Sequence, residues 1–222
     1  MASGRGPRSI NVSVVTCLSA WYIHDVSLKY AILGYLSSGA GSGYDLVQQL
    51  DGGLGWFWAA SHSQIYPELR RLEAAGLIAG TATTVGERLE KRVYDLTGDG
   101  ADDLQRWTAR PPEYRPNRDP ERLQLIFSDS NGLDAVRQHL QDHLDHFSNR
   151  RAQVIEMRGR ILFGENARVQ QRLEKRSEED REITVLLRDL AYGGDVQRAE
   201  LEIAWARAAL ARVEELDRGQ AG

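Results

Sequence analysis

The chain has 222 residues, 41 % of them apolar and 27 % charged, the composition of a soluble globular protein of one to two domains with a real core. No run of eighteen or more apolar residues is present, which excludes a spanning helix. The single cysteine, Cys17, excludes an intramolecular disulfide and fits a reducing, cytoplasmic setting. A formal net charge of -4 supplies no global basic field, so any nucleic-acid function must rest on local pattern.

At the N-terminus, Arg5 and Arg8 precede a mildly apolar run from Ile10 to Ile23, a weak likeness to a secretory signal with a lipid-attachment cysteine at Cys17. Asn11, Ser13, Thr16 and Ser19 interrupt that run, and Thr16 is a poor residue before a cleavage site. Residues 1–25 are therefore read as an N-terminal arm, flexible or loosely docked, with a natural start near Val26 as the other reading. From Ser27, a candidate cap, the residues Leu28, Ala31, Ile32, Tyr35 and Leu36 recur at helical spacing until Ser38 and Gly39. Ser42 with Asp45 forms a capping pair for a second helix, Tyr44 to Leu50, stopped by Asp51, Gly52 and Gly53.

The third helix opens at a capping box of Ser61 and Gln64, shows the apolar row Ile65, Leu69 and Leu72, and stops at Gly76, where a left-handed residue is expected. Pro67 is tolerated only near a first turn, which pulls the start toward Ser63 and leaves Ser61 and Ser63 as rival caps. Leu77 to Thr84 and Arg92 to Leu96 are β-prone and joined by a charged turn around Gly86. Three helices followed by a hairpin is the winged-helix order. Thr97 then caps a fourth helix reaching about Trp107, and the proline-rich stretch from Arg110 to Pro120 reads as a linker.

Beyond the linker the pattern is helical throughout. A short helix spans Glu121 to Phe127, and Leu133, Val136, Leu140, Leu144, Phe147, Val154, Ile161 and Leu162 form a long amphipathic stripe ending near Gly164. Two further helices are expected, from about Arg168 to Tyr192 and from about Val196 to Leu216, separated by Gly193 and Gly194. The fold class expected is mainly α with a small β-hairpin wing: a winged helix-turn-helix plus a C-terminal helical dimerisation region. Its divisions are the arm (1–25), the winged domain (26–109), the linker (110–120) and the helical dimerisation domain (121–222).

The stretch Ser63-Gln-Ile-Tyr-Pro-Glu-Leu-Arg-Arg-Leu-Glu-Ala-Ala-Gly-Leu-Ile78 closely resembles the recognition helix and following turn of the PadR family of transcriptional regulators. Lys91-Arg-Val-Tyr-Asp-Leu-Thr-Gly-Asp-Gly100 resembles that family's second wing strand and its exit into the fourth helix, and Leu28-Lys-Tyr-Ala-Ile-Leu-Gly-Tyr-Leu36 its first helix. The resemblance covers Val26 to about Trp107. It implies a homodimeric repressor binding an inverted repeat in double-stranded DNA, and a small aromatic or drug-like effector, for which Trp21 and Trp205 are the candidate residues.

Residue chemistry supports the same surface. A recognition helix needs small polar residues at its start and an apolar anchoring side, and Ser61, His62, Ser63 and Gln64 ahead of Ile65 and Leu69 supply both. Tyr66, Arg70 and Arg71 are candidates for the DNA backbone, and Gln64 for an adenine edge. Arg88, Lys91 and Arg92 in the wing are candidates for phosphates or the minor groove, although Glu87 and Glu90 nearly cancel their charge.

Other patterns point to no chemistry. His139, His143 and His146 share one side of a helix but lie about one residue off the apolar stripe, so they are expected to flank a packed seam rather than bind metal. Trp56, Phe57 and Trp58 are read as core aromatics, and the same reading is preferred for Trp107 and Trp205 on residue type alone. Contiguous Ser61, His62 and Ser63 cannot make a nucleophile-base-orienter geometry by adjacency, Glu178, Glu179 and Asp180 form a solvated face, and Gly39, Gly41 and Gly43 lack a following Gly-Lys-Ser. No enzyme activity, cofactor, metal or membrane association is expected. The competing reading is a helical scaffold whose winged helix binds another protein, favoured by the acidic balance.

Overall fold

The structure is a computed structural model that describes residues 28–51, 62–85, 89–114 and 119–220. The expectations for the arm, Cys17, Trp21, Ser61, the aromatic run 56–58 and the turn residues Gly86, Glu87 and Arg88 lie outside them. The chain divides at Ala109 into two compact units.

The first unit begins with helix α1 over residues 28–36, whose Leu28, Tyr30, Ile32, Leu33, Tyr35 and Leu36 are all buried. The two-residue strand β1 (Gly41–Ser42) leads directly into α2 (Gly43–Asp51). The expected capping pair forms: the Asp45 amide donates to Ser42 Oγ at 3.2 Å, while Ser42 N and Oγ donate to Asp45 Oδ2 at 3.0 and 2.8 Å. Helix α3 (His62–Ala74) ends where Gly76 turns left-handed at φ 72°. There the Leu77 amide donates to Leu72 O and the Gly76 amide to Glu73 O, both at 3.0 Å, the Schellman arrangement that satisfies the last carbonyls.

Strands β2 (Ile78–Val85) and β3 (Leu89–Leu96) pair antiparallel from Ile78↔Leu96 to Val85↔Leu89. Strand β1 joins the other edge of β3 through Gly41↔Tyr94 and Ser42↔Val93, giving the order β1-β3-β2. This third strand was not expected, because two residues carry no alternating pattern; pairing with β3 makes it a strand. Thr97 caps α4 (Gly98–Thr108), its Oγ1 accepting from the Gly100 amide at 3.1 Å. Trp107 stacks on Tyr30 with centroids 4.4 Å apart but is 40 % exposed, which corrects its reading as a core aromatic; Lys29 pairs with Asp103 at 2.5 Å, so α4 is tied to α1. Ile65, Leu69, Leu72, Ile78 and Tyr94 complete the core around α1 and α2.

The second unit contains α5 (Pro120–Ile126), a 3-10 turn (Ser128–Asn131), α6 (Gly132–Leu162), α7 (Ala167–Glu174) and α8 (Glu178–Gln220). The expected break at Gly193 and Gly194 is corrected: the chain stops earlier, between α7 and α8, and α8 runs through both glycines. Each interior glycine costs a helix roughly 1 kcal/mol relative to alanine. Buried Tyr192, Asp195 and Val196 on either side hold this stretch, and a Cβ at Gly193 would lie 3.9 Å from Arg158 Cζ of α6.

Arginines and acids form a ladder along the α6–α8 seam: Arg137–Asp217, Arg151–Glu200, Arg150–Asp195 and Arg158–Asp189. The start of α6 meets the end of α8, and Arg158 near the end of α6 meets Asp189 in the first third of α8, so the two helices run antiparallel. His143 is also corrected. Rather than flanking the seam, it is buried within it, 3.2 Å from Glu202 Oε2, with its ring against Phe147 and Trp205.

Candidate nucleic-acid interface

Helix α3 turns its two sides to different surroundings. Ile65, Leu69 and Leu72 are at most 1 % exposed and anchor it to the core. Ser63, Gln64, Tyr66, Pro67 and Arg70 stand on the exposed side. The helix starts at His62, one residue ahead of Ser63, so Pro67 falls in the second turn and denies the Ser63 carbonyl its usual helical donor. Tyr66 braces α3 against α2, for a Cβ at Gly43 would lie 2.6 Å from its Cε1, and it remains 47 % exposed. Beside it on α2, Tyr44 is 62 % exposed and accepts a hydrogen bond from Gln48 Nε2 at 3.3 Å. Tyr44 stands one residue into the capped helix, off the apolar row Leu46 and Val47.

The basic candidates separate into two kinds. Arg70 is exposed and in no ion pair among the described residues. Arg71 instead grips Glu68 through Nε at 2.7 Å and Nη2 at 2.6 Å, and Glu68 is only 3 % exposed. Lys91 of the wing reaches Asp45 at 3.1 Å, and Arg92 reaches Glu73 at 2.5 Å. The same Glu73 oxygen accepts the Gly80 amide of β2 at 3.0 Å. These cations thus fasten the wing to α2 and α3, and their charge is met within the unit.

Burial opposes ionisation of Asp45, but the amide and hydroxyl of Ser42 and the Lys91 ammonium outweigh it and hold the carboxyl below its ordinary 3.8. The Arg92 hydrogen bond does the same for Glu73, below its ordinary 4.5. A depressed folded-state pKa contributes stability above the ordinary value and loses it as pH falls through the folded one. The first unit should therefore keep constant stability from pH 7 to about pH 5 and weaken below about pH 4. Urea unfolding followed by tryptophan fluorescence across that range checks this. An Asp45→Asn/Glu73→Gln variant should show a shallower acid decline, and an unchanged slope would refute the assignment.

Of the effector candidates, Trp205 is packed in the second unit, with the Arg122 guanidinium 4.5 Å over its ring. Arg122 also bonds Glu202 at 2.6 Å, and an open cavity of about 530 Å³ lies alongside, lined by Arg122, His139, His143, His146, Phe147 and Glu202 among others. Among the described residues, no group of three or more His, Cys, Asp or Glu side chains is placed to hold a metal ion, and no helix is long and apolar enough to cross a membrane.

Residues 32–106 match the model of the transcriptional regulator PadR-like family. The matched stretch runs from α1 through both wing strands into α4. The negative transcriptional regulator PadR of Bacillus subtilis is 49 % identical over 83 residues, 37 % of this chain and 46 % of that protein. The alignments span about half the length of the curated relatives they match. Similarity of fold extends further. The crystal structure of B. subtilis PadR in complex with operator DNA has a TM-score of 0.66 at 29 % identity, covering 84 % of this chain and 99 % of that one. That of the same protein with p-coumaric acid gives 0.61 at 28 %, covering 84 % and 98 %. The likeness of fold therefore extends to the long C-terminal helices, while the family match lies in residues 32–106.

Proposed function

We propose that the chain is a PadR-like transcriptional repressor that binds an inverted-repeat operator in double-stranded DNA as a homodimer. One observation carries this reading: α3 exposes Ser63, Gln64, Tyr66 and Arg70 opposite a fully buried apolar anchor, within a domain matching a DNA-binding regulator family. In this reading His62 through Gln64 enter the major groove, with Ser61 beside them, and Gln64 reads a base edge. Tyr44, Tyr66 and Arg70 take phosphates, while Arg88, Lys91 and Arg92 of the wing give weaker support. The divisions 26–109 for DNA and 121–222 for dimerisation follow, joined by 110–120.

Dimerisation is supported by Ile183, Leu186, Leu187 and Leu190, spaced three and four apart along α8 and 48 to 61 % exposed. A second copy would cover such a stripe. An aromatic effector, with Trp205 among its candidate contacts, would release the operator by favouring the arrangement that does not bind DNA. The cytoplasm is the matching compartment, and regulators as relatives favour a non-enzymatic role.

Binding to the DNA upstream of the protein's own gene is the test. Affinity should fall steeply with salt, because phosphate neutralisation releases counterions. Arg70→Ala should weaken it roughly tenfold or more and reduce the salt slope by about 2, one phosphate contact from each protomer. Binding unaffected by Arg70→Ala would refute the mapped interface. The scaffold reading is favoured by the internal pairing of Arg71, Lys91 and Arg92, and would appear as no salt-dependent binding to any upstream fragment.

A further inference from the structure

Glu73 carries a negative charge where two effects oppose one. It lies in the last turn of α3, at the negative end of the helix dipole. It also follows Arg70 by one helical turn, beside the surface proposed for DNA, where an acid repels phosphates. What holds it there is the wing. Glu73 Oε1 accepts the Gly80 amide of β2 at 3.0 Å and Arg92 Nη2 of β3 at 2.5 Å. A single carboxylate oxygen thus ties both wing strands to α3.

Gly80 pairs with Tyr94 across the sheet, and Arg92 precedes Tyr94 by two residues on the same face, its guanidinium 5.9 Å from the Tyr94 ring centroid. Tyr94 is 6 % exposed, so the ring behind Arg92 belongs to the core. The arrangement closes only because position 80 has no side chain. A Cβ there would stand 2.5 Å from Glu73 Oε1, 2.6 Å from Arg92 Nε and 3.0 Å from Tyr94 Cε1. A methyl group would therefore displace the carboxylate and the guanidinium while leaving both charges on the chain. A hairpin is marginally stable by itself in water, so the angle of the wing to α3 is set by whatever joins the two.

We propose that Glu73 is a positioning residue for operator binding: through Gly80 and Arg92 it fixes the wing against α3, so that both reach the same stretch of DNA. The inference rests on the reading of the chain as a DNA-binding regulator. Glu73 touches no DNA in this role and acts through the wing.

Charge and positioning predict opposite signs for Glu73→Gln. By charge alone, removing an acid beside the DNA surface should strengthen binding to every duplex. Loss of the wing's placement should instead weaken the operator alone. The test compares full-length wild type and Glu73→Gln on the upstream fragment that wild type binds and on a random-sequence duplex of equal length, at one salt concentration. A loss of roughly tenfold on the upstream fragment is expected, with random duplex bound as well as before or better. Gly80→Ala, which changes no charge, should show a similar loss on the upstream fragment with random duplex unchanged. It also decides the matter should Glu73→Gln fail to fold. Tighter binding of both duplexes by Glu73→Gln would leave charge as the whole effect and overturn the proposal. An equal loss on both duplexes would overturn it as a general defect of the fold, and so would undiminished operator binding by Gly80→Ala. A wild type that binds no upstream fragment would remove the DNA-binding reading itself, and this inference with it, before any variant is compared.

Discussion

Arg71→Ala is expected to destabilise the first unit by about 2 kcal/mol, lowering its melting temperature by roughly 10 °C, because it removes two charge-assisted hydrogen bonds from a buried acid. Glu68 is 3 % exposed, and the Arg71 fork meets both of its oxygens at 2.6 and 2.7 Å. Because Arg71 itself is half exposed, solvent screens part of the interaction, which keeps the effect below the 3 to 5 kcal/mol typical of a fully buried pair. Arg70→Ala should leave the melting temperature within about 2 °C of wild type, since surface changes away from such pairs shift stability by about 0.5 kcal/mol or less. Calorimetry of the two single variants distinguishes the roles. Equal melting temperatures would show that Glu68 does not depend on Arg71. A double variant lacking both arginines cannot report on DNA contact alone, because it loses a structural clamp as well.

Gly100→Ala should be more damaging still. A Cβ at that position would stand 2.0 Å from the Leu77 carbonyl oxygen and 2.8 Å from Leu96 Cδ1. The Leu77 carbonyl also accepts the Thr97 amide at 3.2 Å, and Thr97 caps α4, so the clash falls on the joint between α3, the wing and α4. No flexible side chain can yield there, and the backbone must move. Such strain costs about 3 kcal/mol or more. Loss of operator binding with a second unit that still melts cooperatively is the expected result. Unchanged melting of both units would refute it.

What could be read in advance was local. The Ser42–Asp45 pair, the left-handed Gly76 and the Thr97 cap each rest on hydrogen bonds spanning five residues or fewer, so residue type at short spacing exposes them. The burial of Ile65, Leu69 and Leu72 was equally legible from their spacing. Continuity of α8 through two glycines was not, since propensity argues for a break and only packing against α6 overrides it. Nor was the burial of His143, whose partner Glu202 lies 59 residues away.

By itself, then, the sequence determined the helices and the two wing strands of the first unit, the caps at Ser42 and Thr97, and the helix that presents Ser63, Gln64, Tyr66 and Arg70. Tertiary structure decided which cations those elements leave available. Lys91 meets Asp45 across 46 residues and Arg92 meets Glu73 across 19, distances that no periodicity encodes. A charge's strength depends on what lies within a few ångströms, and folding alone sets that neighbourhood.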